Sequence, residues 1–256
     1  MNESGGYKQD AIRVGLLWLG LVVVLEAVWF ATEILPRQYA EEAKIIDDAF
    51  NLLTILGIPV FSFVVAMLIY SAFRFRSRND ASEDGPPIKT SKPVVVTWLV
   101  VTSALALAIL INPGFVGLAE LRANPEADLV LEVEGQRWQW VVTYPNGAEV
   151  RDELVLPVDT RIRFDVTSVD VLHSFWVPGF RTKIDAVPGL VTSVYVTPTE
   201  LGTFTDDVNL RLQCAELCGI GHARMVMPVR VVEKAEFESW MAEQLTAEAP
   251  AAEGRG

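Results

Sequence analysis

The sequence is poor in cysteine, in histidine and in positive charge. Its 256 residues include 2 cysteines and 2 histidines, and 33 acidic side chains outnumber 21 basic ones, which gives a formal net charge of −12. Two cysteines are too few for a framework of disulfide bonds. Because phosphate binding needs a basic surface, we expect no nucleic-acid partner. A basic protein partner suits this charge better.

Hydrophobic residues, in contrast, are abundant and are collected in the first half of the chain. Apolar runs lie at residues 14–31, 50–73 and 93–116, and each is close to the roughly 20 residues that a helix needs to cross a bilayer. We predict that the second and third runs form a transmembrane hairpin, with buried core helices as the alternative. The first run, which contains Glu26, is either an uncleaved helix or a secretory signal that is removed.

The charges of the loops predict an orientation in the membrane. The loop between the first two runs is mostly acidic, whereas the loop at 74–92 carries Arg74, Arg76, Arg78, Lys89 and Lys92. Basic loops stay in the cytoplasm. We therefore expect residues 123–247 on the other side, in the periplasm or at the exterior of a bacterial-type inner membrane.

The second half of the chain reads as a β domain. Short segments rich in valine, threonine and aromatic residues alternate with turn residues, which predicts an all-β sandwich or barrel. A short helix at about residues 233–245 follows these segments. We divide the chain into an N-terminal helix with an acidic outer loop (1–48), a helix hairpin with a basic loop (49–118), an exterior β domain (119–247) and a flexible tail (248–256).

One short stretch, "QCAELCGIGHARMVMP" at residues 213–228, concentrates the side chains that bind soft metals. It has the spacing C-x3-C-x3-H-x2-M, with candidate ligands at Cys214, Cys218, His222 and Met225, and the other histidine, His173, lies about forty residues upstream. Thiolate, imidazole and thioether together suit copper, whereas zinc rarely recruits methionine. A single blue-copper site needs one cysteine, so two cysteines favour two coppers that share both sulfurs. The alternatives are a disulfide between the cysteines and a His173 that only packs in the core.

Three motifs resemble subunit II of the haem–copper cytochrome c oxidases. "QCAELCGIGHARM" is similar to that family's C-x-E-x-C-x3-H-x2-M loop, "DVLHSFWVPGFRTKIDAVPG" to its D-V-L-H-S…K-x-D-A-x-P-G segment, and "GQRWQWVVTYP" to its W-x-W segment. The resemblance runs over about residues 134–232, and the second and third apolar runs resemble the family's membrane hairpin. It implies a cupredoxin-like Greek-key sandwich or barrel behind an N-terminal α-helical transmembrane region, here with an extra first helix.

The resemblance also implies a binuclear copper centre, CuA. Cys214 and Cys218 would bridge the two coppers, with His173 and His222 as terminal ligands. Weaker ligands would be the Met225 sulfur and the backbone carbonyl of Glu216, whose side chain would reach a magnesium shared with subunit I.

The implied function is electron entry into an oxidase. Trp138 would receive electrons from cytochrome c or a small copper protein, whereas Trp140 fits a core position better. The electrons would pass to the haem of subunit I, where oxygen is reduced and protons are pumped. Asp170 and Asp185 match acidic positions near the donor surface and the subunit I interface.

Departures from the family pattern leave other functions open. The stretch "PVVVTW" lacks the glutamate that often precedes this tryptophan in a proton-uptake path, and "GTFTDDVNLRLQC" is a few residues longer than usual. No C-x2-C-H haem motif is present, so a separate electron donor is needed.

Alternatives to an oxidase subunit are the CuA subunit of a nitric oxide reductase and a copper-storage or copper-delivery module. A quinol oxidase subunit would lack the ligands, and a delivery module would not need W-x-W or the hairpin.

Overall fold

The computed structural model describes residues 3–76, 90–123 and 126–247. Its contacts divide the chain into a helical unit, Met1–Ile34 with Asp48–Leu118, and a β unit, Leu35–Asp47 with Ala119–Gly256. Residues 35–47 therefore group with the β unit, whereas our sequence boundaries placed them with the first helix. The basic-loop residues Arg78 and Lys89 and the predicted tail 248–256 lie outside the described residues.

The helical unit begins with α1 (Glu3–Ala31) and continues through α2 (Glu41–Arg74), α3 (Lys92–Ile109), a π-helical turn (Leu110–Phe115) and α4 (Val116–Leu121). In the described part of the chain, three helical stretches are long and apolar enough to cross a membrane: Gly6–Ala31, Glu41–Arg74 and Lys92–Leu121. The predicted membrane helices are thus confirmed. The third stretch is interrupted at Asn112, whose φ of −136° and ψ of 116° are not helical, because the residue before a proline is driven out of the α region.

Polar contacts join α1 to α2. The indole nitrogen of Trp18 donates a 2.9 Å hydrogen bond to the carbonyl of Pro59. Near the other end of the pair, the Tyr70 hydroxyl donates to the Asp10 carboxylate at 2.6 Å, and Arg74 lies 3.4 Å from the same carboxylate. Interhelical hydrogen bonds of this kind hold membrane helices together. The first apolar run is a helix in this structure; its retention in the mature protein stays a prediction.

Two sheets make up the β unit. Their strands are β1 (Leu129–Gln136), β2 (Gln139–Thr143), β3 (Glu149–Val150), β4 (Leu154–Pro157), β5 (Ile162–Ser168), β6 (His173–Val177), β7 (Thr182–Ala186), β8 (Thr192–Val196), β9 (Gly202–Thr203), β10 (Arg211–Cys214) and β11 (Val226–Val232). One sheet has the order β3-β2-β1-β5-β8, and the other has the order β4-β11-β10-β6-β7, with β9 on β11. Helix α5 (Lys234–Ala247) closes the unit.

The core lies between the two sheets. Along β5, buried and partly exposed residues alternate, as expected for a strand with one face on the core, so that Ile162, Phe164 and Val166 point inward. Phe164 stacks against Phe175 of the opposite sheet with ring centroids 4.9 Å apart. The predicted fold class, a cupredoxin-like all-β sandwich behind an α-helical membrane region, is confirmed.

The segment 35–47, which ends in the first residues of α2, packs on the β unit. Its backbone pairs at Ala40 with Pro198 in an isolated β-bridge. On the other side, the N–H of Tyr39 donates to the carbonyl of Gly179 at 3.0 Å. The Tyr39 side chain is buried, and glycine at 202 leaves room for its ring, since a Cβ there would lie 3.0 Å from Tyr39 Cε1.

Two buried ion pairs fasten the same segment. Arg181 binds Asp47 with two hydrogen bonds of 2.9 Å, from Nε to Oδ1 and from Nη2 to Oδ2, and Arg161 pairs with Glu42. The Asp47 side chain is only 4% exposed and that of Arg181 11%. A buried carboxylate without such a partner is costly, so these pairs make 35–47 an integral part of the β unit.

Candidate metal centre

Neighbouring strands bring the predicted ligands together. His173 is the first residue of β6 and Cys214 the last of β10, and these two strands pair with Cys214 opposite Phe175. From Cys214 the chain runs through a loop back into β11, which pairs with β10 from the other side. The loop carries Cys218, His222 and Met225, so all the sulfur and imidazole ligands meet at one end of the sandwich.

The two cysteine sulfurs form the middle of the cluster. Their Sγ atoms lie 3.8 Å apart, far beyond the ~2.05 Å of a disulfide bond, and both cysteines are free. His173 Nδ1 lies 3.8 Å from Cys214 Sγ, and His222 Nδ1 lies 3.7 Å from Cys218 Sγ. Each thiol therefore has its own histidine.

Weaker donors complete the surroundings. The Met225 sulfur lies 3.9 Å from Cys218 Sγ, and the carbonyl oxygen of Glu216 lies 3.1 Å from Cys214 Sγ. The structure thus brings all six predicted metal-binding positions into the same end of the β unit. The side chain of Glu216 is partly exposed. The metal-ligating group found among the described residues consists of His173, Cys214 and Cys218 and includes no carboxylate.

The donors fit a copper site. Cys214 Sγ lies 3.8 Å from both His173 Nδ1 and Cys218 Sγ, and ligand bonds of about 2.0–2.3 Å allow two ligands of one ion to be up to about 4.5 Å apart. Thiolate, imidazole and thioether are soft to borderline donors, which copper prefers. All three of these side chains are buried, so water is largely kept from the metal position.

The Cys218 thiol holds its proton more tightly than a free cysteine does. Burial raises the pKa of Cys218 to about 11, and the hydrogen bond with Cys214 adds to the rise. Because a thiol must lose its proton to bind a metal, metal binding at Cys218 would release a proton.

Asp170 orients one of the histidines. Its Oδ1 lies 2.9 Å from His173 Nε2, and its Oδ2 accepts hydrogen bonds from the backbone N–H and the Nε of Arg137 at 2.9 and 3.1 Å. Burial raises the pKa of Asp170, but the hydrogen bonds from His173 and Arg137 outweigh it and hold the pKa well below its usual range. The ionised carboxylate keeps a proton on Nε2, which leaves Nδ1 to face Cys214.

The two tryptophans of W-x-W have different surroundings. Trp138 is 40% exposed, and its indole N–H donates to the carbonyl of Cys218 at 3.2 Å. Trp140 is 1% exposed and packs edge-on against His173, with ring centroids 6.1 Å apart. Trp140 is thus the core residue of the pair, and Trp138 connects the protein surface with the loop that carries the candidate ligands Cys218, His222 and Met225.

Some site residues were not identified from the sequence as parts of the metal centre. Asp170 was noted only as an acidic surface position, although its place three residues before His173 was a usable signal. Gly135 was not noted at all. A Cβ at Gly135 would lie 3.0 Å from Cδ2 of His173. A side chain at this position would therefore press against the imidazole ring, and glycine avoids this contact. Asp185 is exposed on β7 and pairs with Ser174, the residue after His173, and it is not among the metal-ligating residues found in the described part of the chain.

Comparison with known proteins points to the same family that the sequence motifs suggested. Residues 145–234 match the family model described as cytochrome c oxidase subunit II, periplasmic domain. "Heme-copper oxidase subunit 2" of Aeropyrum pernix is 36% identical over 203 residues, which cover 73% of this chain and 85% of that protein. "Cytochrome c oxidase subunit 2" of Thermostichus vulcanus is 28% identical and covers 91% and 86% of the two chains. Among solved structures, the periplasmic domain of cytochrome oxidase subunit II from Bradyrhizobium japonicum is 34% identical over 49% of this chain and 99% of that one, with a TM-score of 0.45.

Proposed function

We propose that this chain, which belongs to the cytochrome c oxidase subunit II family, takes electrons into an oxidase through a binuclear CuA centre. The observation that carries the proposal is the pair of unbonded thiols 3.8 Å apart, each beside its own histidine. This pairing gives each of two ions that share the sulfurs a histidine of its own. Cys214 and Cys218 would bridge, His173 and His222 would be terminal ligands, and Met225 and the Glu216 carbonyl would bind weakly.

When bound, the copper pair would supply one-electron chemistry with the charge spread over both metals, so that little reorganisation accompanies reduction. The protein provides the conditions for it. The strands bury the thiols, Asp170 fixes the tautomer of His173, and the short loop keeps the cysteines within bridging distance.

Trp138 is the proposed entry point for the electrons. It is the residue that is both exposed at this surface and hydrogen-bonded to a ligand residue, Cys218. The donor would be a reduced cytochrome c or a small copper protein, since this sequence has no haem-binding motif of its own. The acceptor would be the haem of subunit I, where oxygen reduction and proton pumping occur, with a magnesium ion held between the two subunits through Glu216.

The proposed location is a bacterial-type inner membrane with the β unit in the periplasm or outside the cell. The basic residues around the loop at 74–92 support this orientation, because positively charged loops stay in the cytoplasm. One similar solved structure is described as the periplasmic domain of a cytochrome oxidase subunit II, and three helical stretches long enough to cross a membrane agree with the proposed location.

Copper loading of the chain in its membrane complex tests the proposal. We expect two coppers per chain, a purple colour and an EPR signal from one electron shared by two coppers. One copper with a blue-copper spectrum would overturn the binuclear assignment. A colourless protein with Cys214 and Cys218 joined in a disulfide would overturn the electron-entry function as well. Comparing oxygen with nitric oxide as the terminal substrate of the complex separates an oxidase from a nitric oxide reductase.

Electron transfer from a basic cytochrome is expected to slow as ionic strength rises. Residues 123–247 hold 19 acidic and 10 basic side chains, a net charge of −9, and attraction between opposite charges speeds encounter at low salt. We expect the second-order rate constant to fall by roughly an order of magnitude between low and physiological salt. The measurement is stopped-flow reduction of the copper centre. A neutral small-molecule reductant is the control, and a rate that does not depend on salt with the cytochrome would contradict electrostatic steering.

A further inference from the structure

The indole ring of Trp138 lies directly against the backbone of the copper-binding loop. A Cβ atom added to Gly221 would stand 2.2 Å from Cδ2 of Trp138 and 2.4 Å from its Cγ, distances that no side chain can occupy. A Cβ at Gly219 would lie 3.4 Å from Cζ2 of the same ring. The ring therefore contacts the loop at Gly219 and Gly221, the two glycines that flank Ile220.

Gly219 has a second reason to be glycine. Its φ is +114°, a conformation that side chains with a Cβ rarely adopt. This turn directs the loop so that the Cys218 carbonyl faces the indole N–H, which donates to it at 3.2 Å. The indole thus touches the loop at two glycines and is anchored by a hydrogen bond to a predicted copper-bridging residue.

The residue before Trp138 ties the hairpin turn to the metal-ligand cluster. Arg137, which precedes Trp138 in the β1–β2 hairpin, is tied to Asp170 by its backbone N–H and its guanidinium. The hairpin turn that carries Trp138 is therefore tied to His173 through Asp170. The bare backbone at Gly221 is what permits the close approach of the indole to the loop.

We propose that Gly219 and Gly221 are positioning residues for electron entry: they let the Trp138 indole contact the copper-binding loop and reach the Cys218 carbonyl. The proposal rests on the proposed function, in which Trp138 is the entry point. One electron leaves the reduced donor, which is oxidised by one, and reduces the oxidised copper centre by one; no bond forms and no proton moves. Because electron transfer weakens steeply with distance, a displaced indole would slow this step.

Gly221→Ala in the complete complex tests this assignment, with Ile220→Ala as the matched control. Ile220 lies in the same loop, already has a Cβ and is 95% exposed. We expect Gly221→Ala to lower the limiting rate of copper reduction at saturating cytochrome c by about tenfold or more, since small misplacements at a reaction site have such effects. The copper EPR spectrum and the rate with a small-molecule reductant should be unchanged. Ile220→Ala should keep the limiting rate.

Trp138→Ala, alone and combined with Gly221→Ala, separates the possible outcomes. If Gly221 acts through the indole, the double variant is no slower than Trp138→Ala alone. A normal limiting rate in Gly221→Ala beside a slow Trp138→Ala overturns the positioning role and leaves the proposed function intact. A normal rate in Trp138→Ala removes Trp138 as the entry point, and the positioning role with it. If Gly221→Ala loses its copper spectrum, recovery in the double variant supports the steric contact, and continued loss overturns it.

Discussion

Cys218→Ser is expected to abolish the binuclear copper centre. The sulfur of Cys218 lies within 3.9 Å of the Cys214 sulfur, the Met225 sulfur and a His222 nitrogen, so it stands at the junction of the ligand set. Serine is a poor ligand for copper, because its hydroxyl does not ionise at neutral pH and is a hard donor. We expect at most one copper per chain and complete loss of the signal from an electron shared by two metals. Copper analysis and EPR on the purified complex provide the measurement.

Two further substitutions control this experiment. Cys214→Ser should have the same effect, since both sulfurs are proposed to bridge. Met227→Leu should leave the spectrum unchanged, because Met227 is a buried residue of β11 that makes none of the contacts within the ligand cluster. A mixed-valence spectrum that survives in Cys218→Ser would rule out shared sulfurs and leave a different metal arrangement to be found.

Arg181→Ala is expected to destabilise the β unit by about 3–5 kcal/mol, the usual cost of removing one partner from a buried ion pair. It leaves the Asp47 carboxylate, 4% exposed, with Gln38 as its remaining hydrogen-bond partner among those found. It also removes donors to the carbonyls of Pro36 and Pro178. For a unit of this size we expect the midpoint of thermal unfolding to fall by roughly 10 °C. Loss of the copper spectrum on heating follows this transition.

Arg151→Ala is the matched control for the buried pair. Arg151 pairs with Glu149, and both side chains are about half exposed, so its removal should cost under about 1 kcal/mol. The double variant Arg181→Met with Asp47→Leu should recover much of the lost stability, because an apolar pair needs no buried charge. Equal unfolding midpoints for Arg181→Ala and Arg151→Ala would show that the Asp47 pair does not hold the segment in place.

The sequence was sufficient for those features that depend on local pattern. The length of the apolar runs predicted the membrane helices, and alternation along segments such as "RIRFDVTS" predicted strands with one buried face. The spacing of Cys214, Cys218, His222 and Met225 indicated a metal-binding loop, because all four residues lie in one short stretch of the sequence. His173 was harder, since only the pairing of β6 with β10 brings it to the cluster, and the resemblance to a family supplied what spacing could not.

Features that depend on contacts between distant residues could not be predicted. The segment 35–47 has no apolar periodicity that marks it as part of a sheet, and Asp47 meets a partner 134 residues later in the chain. The fit of Trp138 against Gly221 depends on how a hairpin and a loop from different sheets approach each other. Local patterns carry no information about such an approach, and a glycine in a metal loop has several possible explanations.

The segment 35–47 has a consequence for how the chain threads through the membrane and in what order it can fold. It includes the first residues of α2, whereas the strands on which it docks follow α4, so two helical stretches long enough to cross a membrane separate parts of one folded unit. Both parts must emerge on the same side, which requires the intervening crossings to form an antiparallel pair, independently of any loop charge. The docking surface of 35–47 also does not exist until residues 161–202 have been synthesised. The segment must therefore wait for the later strands, and closing so long a loop makes its docking a late step of folding.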